Sequence, residues 1–579
     1  MKKFLLLFVF CLLQISVEAQ LTRTHVAQGE IEGVVEDGFV HYKGVPFAQP
    51  PVGDLRWKAP VPAKKWEGVY EAKKFKAKNY QRSNKPFTKE EISEDCLYLN
   101  ILTPAKSREE KLPVLVYIHG GGFMDGEPWG LNGDNFAKAG IIYVSIEYRC
   151  NIFGFLALPE LSKESLNENG HAVSGNYGIM DQIMALQWIH DNIEAFGGDS
   201  DKVTILGESA GAISVAILCQ SPLAKGLFRG AVSQSGGQMS FPVIERTDSK
   251  EMRILSASED FGRGIIQRLG FGKKKLKDLR KMDPSVFMTD SLAFATGVSL
   301  WPCYDDYVIT TDAYRQYEAG NYNDVNVLIG TNSDEGSMFA SPAFGHKCSP
   351  ETYAEEMKSS FPDAEWRSKF IDMYPGNTYQ EAFDGYSDYF RESAFAWPTY
   401  AWGNLQSERT TKGEGKGNVY MYFFDQDKSN FFRMGQSTDR QYLTMHAADL
   451  SYITGHWHSE SEIHSPEDEA MSKVMMQYWI NFIKTGNSNE TSAKYYHKRY
   501  VETGINHLLK GYYPPDTCLL GYILEGTVSD TVDGVNIQVS SILSQRDVLT
   551  QVQSLYPSLS TYISYHSPNR EIKHLMLKF

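Results

Sequence analysis

The chain has 579 residues, 42% hydrophobic and 22% charged, with 48 glycines and 24 prolines. That composition is ordinary for a globular protein and excludes a disordered, collagen-like or coiled-coil chain, while the length allows several domains or one large α/β unit with long insertions. Its 57 basic and 71 acidic side chains leave a net charge of −14, which argues against a nucleic-acid partner gripped through its phosphates.

Residues 1–19 read as a cleavable secretory signal: Lys2-Lys3, an apolar run from Phe4 to Leu13, then Val17-Glu18-Ala19. The run is about half the roughly 20 residues a bilayer demands. Cys11 lies inside it, which disfavours a lipid-modified N-terminus. No later stretch is long and apolar enough to span, so the expectation is a soluble protein, secreted or periplasmic, without a stable membrane anchor. Of the seven cysteines, the six beyond the signal are scattered from Cys96 to Cys518 without a C-x-x-C pair. An even count permits disulfides, but the spacing is not that of a staple framework or a zinc site.

From about residue 112, short β-branched runs alternate with helical patterns, which predicts an α/β architecture with a mostly parallel central sheet covered by helices. Val114–Ile118 and Ile141–Ile146 are near-continuously apolar, as strands buried on both faces are. Ile179, Ile183, Leu186, Ile189 and Ile193 fall at helical spacing, with Asp181 near the positive end of that helix. Further strands are expected at Val203–Leu206, Ala231–Ser233 and Val327–Gly330, with long helical insertions over 241–325 and 341–415.

Gly207-Glu208-Ser209-Ala210-Gly211 directly follows the strand at 203–206 and opens into the apolar helix Ala212–Leu218. A sharp strand-to-helix turn strains the serine backbone and exposes its hydroxyl, and glycines on either side let strand and helix approach closely. Upstream, the strand 114–118 runs into His119-Gly120-Gly121-Gly122-Phe123. Glycines there free backbone amides to point at a small anion, as acyl transfer requires where its oxyanion forms. Gly121, Gly122 and Ala210 would supply three such donors.

These stretches, with Tyr42–Pro51, Leu55-Arg56-Trp57, Ser93–Asn100, Gly175–Gln182 and Phe196–Asp199, resemble the type-B carboxylesterase and lipase family of the α/β-hydrolase fold over residues 22–489. The resemblance implies a serine carboxylesterase that works without cofactor or metal on small-molecule esters. It places the acid of a catalytic triad at Glu335, within Gly330–Ser337, with Asp334 a competitor if the match shifts by one residue. The histidine falls at His446, which opens His446–Tyr452, so the triad order is Ser209, Glu335, His446. Ser235 resembles a serine that supports the acid, and Arg56 with Glu94 a structural salt bridge. An unperturbed imidazole titrates at about 6.5, so activity carried by His446 should fall on the acid side.

The chain departs from animal relatives in having no cysteine between 60 and 80 to pair with Cys96, which leaves Cys96 as a buried free thiol and favours a bacterial-type esterase. Where cholinesterases carry a choline-binding tryptophan this chain has Pro86, followed by Phe87. His456, His458 and His464 form a histidine-rich patch, read as a solvated loop. The hydrolase domain is expected over residues 20–490. Residues 491–579 lose the family pattern and read as a divergent C-terminal lobe, an added segment or an altered reading frame. Two rivals stand beside the esterase: a noncatalytic adhesion protein on the same scaffold, and a lipase acting on aggregated lipid.

Overall fold

The computed structural model describes residues 21–81, 91–237, 239, 253–288, 300–310, 313–340, 348–360, 364–425, 444–457 and 466–488, with the backbone of three strands between 525 and 544. The calls on residues 1–19, 82–90, His458 and His464 lie outside them. Two compact units result, one formed by the chain up to Val232 with Val243–Asp312, the other by Ser233–Pro242 with the chain from Ala313 onward.

The first unit is built on strands β1 (Val34–Glu36), β2 (Phe39–Pro46), β3 (Tyr98–Thr103), β4 (Leu112–Ile118), β5 (Ile142–Ile146) and β6 (Gly198–Glu208). They lie in the order β6-β4-β5-β3-β2-β1. β4 runs parallel to both β5 and β6, and its residues Val114–Ile118 are all buried, which explains their unbroken apolar run. β1, β2 and β3 are antiparallel additions that the sequence reading did not anticipate.

Helix α1 (Tyr177–Asn192) buries Ile179, Leu186 and Ile189 at the predicted spacing. The reading of Asp181 as a group answering the helix dipole is incomplete. It is fully buried and clamped by Arg149, whose Nε and Nη2 donate to Oδ2 and Oδ1, both at 2.7 Å. Arg56 and Glu94 make a comparable fork, both bonds 2.6 Å, and Arg56 Nη1 also donates to the carbonyls of Leu279 and Met282. Cys96 is a buried free thiol, and no disulfide forms among the described cysteines.

Strand β7 (Gly230–Gln234) carries the chain out of the first unit. In the second unit, β8 (Asn326–Asn332) pairs in parallel with β9 (Val419–Phe424), Val327 opposite Val419. Helix α3 (Tyr379–Arg391) passes through a π-helical segment, Glu392–Ala396, into α4 (Trp397–Thr411). Pro398 has no N–H to give the carbonyl four residues back and its ring crowds that position, so the ladder slips there. The segment Thr444–His446 is strapped beside the end of β8: Asp334 N–H donates to Thr444 O at 2.8 Å, and Asn332 Nδ2 to Met445 O at 2.9 Å.

Candidate active site

In the first unit, Ser209 stands between β6 and helix α2 (Ala210–Gln220) with φ 56° and ψ −125°, a conformation an L-residue adopts only under constraint. The constraint is packing. A methyl on Gly207 would stand 2.2 Å from the Gly211 carbonyl carbon, and one on Gly211 2.1 Å from Ile118 O at the end of β4. Strand, turn and helix therefore close so tightly that Ser209 alone between Val203 and Ser221 remains partly exposed. Ala210 opens the helix, so its N–H has no intrahelical acceptor.

The glycine loop after β4 lies against this turn: a methyl on Gly120 would be 3.1 Å from Ser209 Cβ. Gly121 and Gly122 have φ of 102° and 62° and are solvent-exposed. Neither N–H donates to an acceptor among the described residues. Behind the loop, Phe123 contacts Phe155 and Trp301, with ring centroids 5.1 and 5.2 Å away.

The second unit brings Glu335, His446 and Ser235 together. Glu335 is fully buried. Its Oε2 lies 2.6 Å from His446 Nδ1, and its Oε1 accepts from Asn332 N–H at 2.6 Å and from the Ser235 hydroxyl at 2.5 Å. It is Glu335 that meets the imidazole, whereas Asp334 Oδ1 accepts from Ser387 Oγ at 3.3 Å. Three converging donors suit an ionised carboxylate and leave it little freedom to turn.

Sequence reasoning missed what packs on the histidine. Phe395 and Phe339 place their rings 4.7 and 5.2 Å from the imidazole centroid, and Phe395 is carried by the π-helical segment. It also missed the layer beneath. Buried Asp449 accepts from Gln234 Nε2 at 2.6 Å, Tyr422 O–H at 2.7 Å and Asn332 Nδ2 at 3.3 Å. Burial pushes the Asp449 carboxyl above its usual range against those donors. No residue spacing announces either layer, because the partners come from elements far apart in sequence. Among the described residues no cluster of histidine, cysteine and carboxylate side chains has metal-binding geometry, and no helix is long and apolar enough to cross a membrane.

The sequence model described as the carboxylesterase family matches residues 20–511. The chain belongs to the carboxylesterase family. With relatives named as esterases, the chain is a carboxylic ester hydrolase. Among curated relatives, the para-nitrobenzyl esterase of Bacillus subtilis (strain 168) is 32% identical over 498 residues, covering 82% of this chain and 92% of that one. The fumonisin B1 esterase of Sphingopyxis macrogoltabida is 37% identical over 320 residues, 54% of this chain, which spans 56% of that relative's length. The acetylcholinesterase of Danio rerio is 30% identical over 507 residues, covering 78% and 77% of the two chains. A solved structure of PNB esterase superposes with a TM-score of 0.67 at 27% identity, covering 92% of this chain and all of that one. The Geobacillus stearothermophilus carboxylesterase EST55 at pH 6.2 gives 0.68 at 26% identity, covering 92% and 99%. The fold is that of the α/β-hydrolase carboxylesterases.

Proposed function

We propose that this carboxylesterase hydrolyses small carboxylic esters through a serine acyl-enzyme, with Ser209 as nucleophile, His446 as general base and acid, and Glu335 as the carboxylate that orients the imidazole. The reading is carried chiefly by the strained backbone of Ser209, with the glycine loop that carries Gly121 and Gly122 lying against its turn at Gly120. Its support from the second unit is the 2.6 Å contact between Glu335 and His446.

The chemistry uses side chains and backbone alone. His446 takes the Ser209 proton through Nε2 as Oγ attacks the ester carbon, and its Nδ1–H stays on Glu335, which stabilises the imidazolium. The N–H groups of Gly121, Gly122 and Ala210 receive the negative charge on the former carbonyl oxygen. Collapse of the tetrahedral species breaks the bond to the alcohol, which leaves with the proton from His446. Water, deprotonated by the same imidazole, then releases the acid and restores Ser209. The acidic chain, with its N-terminal signal pattern, acts outside the cytoplasm, secreted or in a periplasm.

Diethyl p-nitrophenyl phosphate should release one equivalent of nitrophenol, and peptide mass spectrometry should find the phosphoryl group on Ser209. Ser209→Ala should take up no label and lose roughly 10⁴-fold or more in kcat. Labelling of another residue, or more than a few per cent residual turnover, would move the nucleophile elsewhere, whereas a folded wild type that neither labels nor turns over would favour a binding protein on this scaffold.

A further inference from the structure

We propose that His119 is a positioning residue for this reaction, an imidazolium held between Glu147 and the Gly120 carbonyl that fixes the direction of the Gly121 N–H. The proposal rests on the function above. Its geometry lies wholly in the first unit.

His119 and Glu147 are each 1% exposed. His119 Nε2 lies 2.9 Å from Glu147 Oε1 and Nδ1 lies 2.9 Å from Gly120 O. Both partners offer lone pairs. Glu147 Oε1 already accepts from Asn79 Nδ2 and from Tyr148 N–H, both at 3.0 Å, and a carbonyl oxygen has no proton to give. Both contacts are hydrogen bonds only if both ring nitrogens carry protons, which is the imidazolium facing a carboxylate. Consistently, Glu147 and the Gly120 carbonyl hold the His119 pKa above its ordinary value even though burial alone, the largest influence, would lower it.

The consequence for the loop follows from peptide geometry. Gly120 C=O and Gly121 N–H belong to one planar trans unit and point in opposite directions. Tying the carbonyl back to His119 therefore turns the amide outward. Water cannot substitute for this bond, because Gly126 closes over it: a methyl there would stand 2.1 Å from Nδ1 and 2.6 Å from Gly120 O. The ring also stacks on Tyr148 at 4.3 Å and 17°, and the Tyr148 hydroxyl donates to His119 O at 2.8 Å.

The other titratable groups around the pair leave its charge state intact. Asp125, in the same loop, is raised by burial, though His119 pulls it down. Tyr117, Tyr148 and Cys150 are pushed up by burial and stay neutral. Glu208 Oε2 faces Gly120 from the strand alongside. Because the folded pKa of His119 is raised, its contribution is complete below the ordinary imidazole value and is lost as pH rises through the folded one. The alkaline limb of kcat therefore belongs to His119, whereas the acid limb belongs to the base, His446.

Glu147→Gln tests this. Asn79 and Tyr148 require an oxygen at the Oε1 position, so the glutamine keeps its oxygen there. The imidazole becomes neutral and spends its single proton on that oxygen or on Gly120. The expected result is an alkaline limb moved down by a pH unit or more, and kcat down roughly tenfold with KM little changed. Phosphorylation of Ser209 by the organophosphate should slow in parallel, because it too places negative charge in the hole. His119→Phe, which keeps a ring on Tyr148, should abolish the limb. A separate arm needs no catalysis: ¹⁵N spectra of selectively labelled histidine, assigned by the signals His119→Phe removes, should show both His119 nitrogens protonated at pH 7.5. A neutral His119 there, or a folded Glu147→Gln enzyme with the wild-type limb, overturns the proposal. Failure of wild type to label at Ser209 would instead defeat the esterase mechanism, leaving the ¹⁵N result to decide His119 by itself.

Discussion

Glu335→Gln is the substitution whose outcome the geometry constrains most closely. Three donors converge on this buried carboxylate: Asn332 N–H and Ser235 O–H on Oε1, His446 Nδ1–H on Oε2. A glutamine has one acceptor oxygen and one NH₂. If its oxygen stays with Asn332 and Ser235, the NH₂ faces Nδ1, which must then accept. The imidazole proton moves to Nε2, and His446 can no longer take a proton from Ser209. The flipped amide restores the working tautomer but sets NH₂ against the Asn332 N–H and strands a buried donor, at about 1–3 kcal/mol. The unproductive tautomer is therefore favoured, and the stabilising charge on the imidazolium is gone in either case. The expected loss is roughly 10⁴-fold in kcat, the loss seen when a triad acid becomes an amide, or about 5.4 kcal/mol of barrier. Stopped-flow hydrolysis of p-nitrophenyl acetate, normalised to sites titrated by the organophosphate, measures it. Ser235→Ala removes one hydrogen bond to the charged oxygen and should cost about tenfold. Asp334→Asn should cost only a few-fold. A loss under tenfold for Glu335→Gln, or a larger one for Asp334→Asn, would show that the orienting carboxylate has been misassigned.

Acetylcholine should be hydrolysed no faster than its uncharged carbon isostere, because the sequence carries Pro86 at the spacing that matches the cholinesterase tryptophan, whose face attracts the cation by about 0.5–2 kcal/mol. A tenfold preference for the cation would mean that another aromatic side chain binds it. Glu94→Gln should lower stability in urea by about 3–5 kcal/mol, since it leaves the Arg56 charge buried and half-partnered. Burial raises the Glu94 carboxyl in spite of Arg56, so the intact pair is close to balanced and the orphaned arginine carries the cost; a change below about 0.5 kcal/mol would refute this. Glu164 is held below its ordinary value of 4.5 chiefly by its hydrogen bond to Arg280. Its stabilisation is complete above that value and is lost as pH falls through the lower folded one. Glu164→Gln should accordingly flatten the acid-side loss of stability, and an unchanged slope would argue against the pairing.

What the sequence disclosed and what it hid follow one physical division. Strands β4, β5 and β6 were legible because burial on both faces writes an unbroken apolar run. Strands β2 and β3 were not, since Phe39–Pro46 is mostly half-buried and interrupted by His41, Lys43 and Gly44. The elbow was legible because close packing of strand on helix admits only glycine at 207 and 211. Contacts formed by folding left no such trace. Phe395 reaches His446 from 51 positions away through a π-helical slip, and the Asp449 network draws on Gln234, Asn332 and Tyr422 at once. Arg149 and Asp181 are individually ordinary charged residues whose pairing exists only in the fold.

Backbone strain makes the same point at the functional positions. A glycine advertises a left-handed conformation, and the flanking glycines announce the strained turn at Ser209, whereas Phe123, Ser235 and Ala447 adopt one without any signal in the sequence; the φ values of Phe123, Ser209, Ser235 and Ala447 are 60°, 56°, 58° and 66°. Each costs about 1–3 kcal/mol and persists only because its neighbours leave no alternative. Phe123 O accepts the N–H of Asn151, itself at φ 48°, at 2.6 Å. Ser235 N–H is held by Gly330 O at 2.8 Å while its side chain is held by Glu335. Ala447 follows directly on His446 and turns the chain into helix α5 (Asp449–Thr454). All four lie at or beside the residues assigned to the reaction. A relaxed backbone at these points would aim the hydroxyl, the carboxylate or the imidazole elsewhere, so the strain stored there is what the surrounding hydrogen bonds and packing convert into orientation.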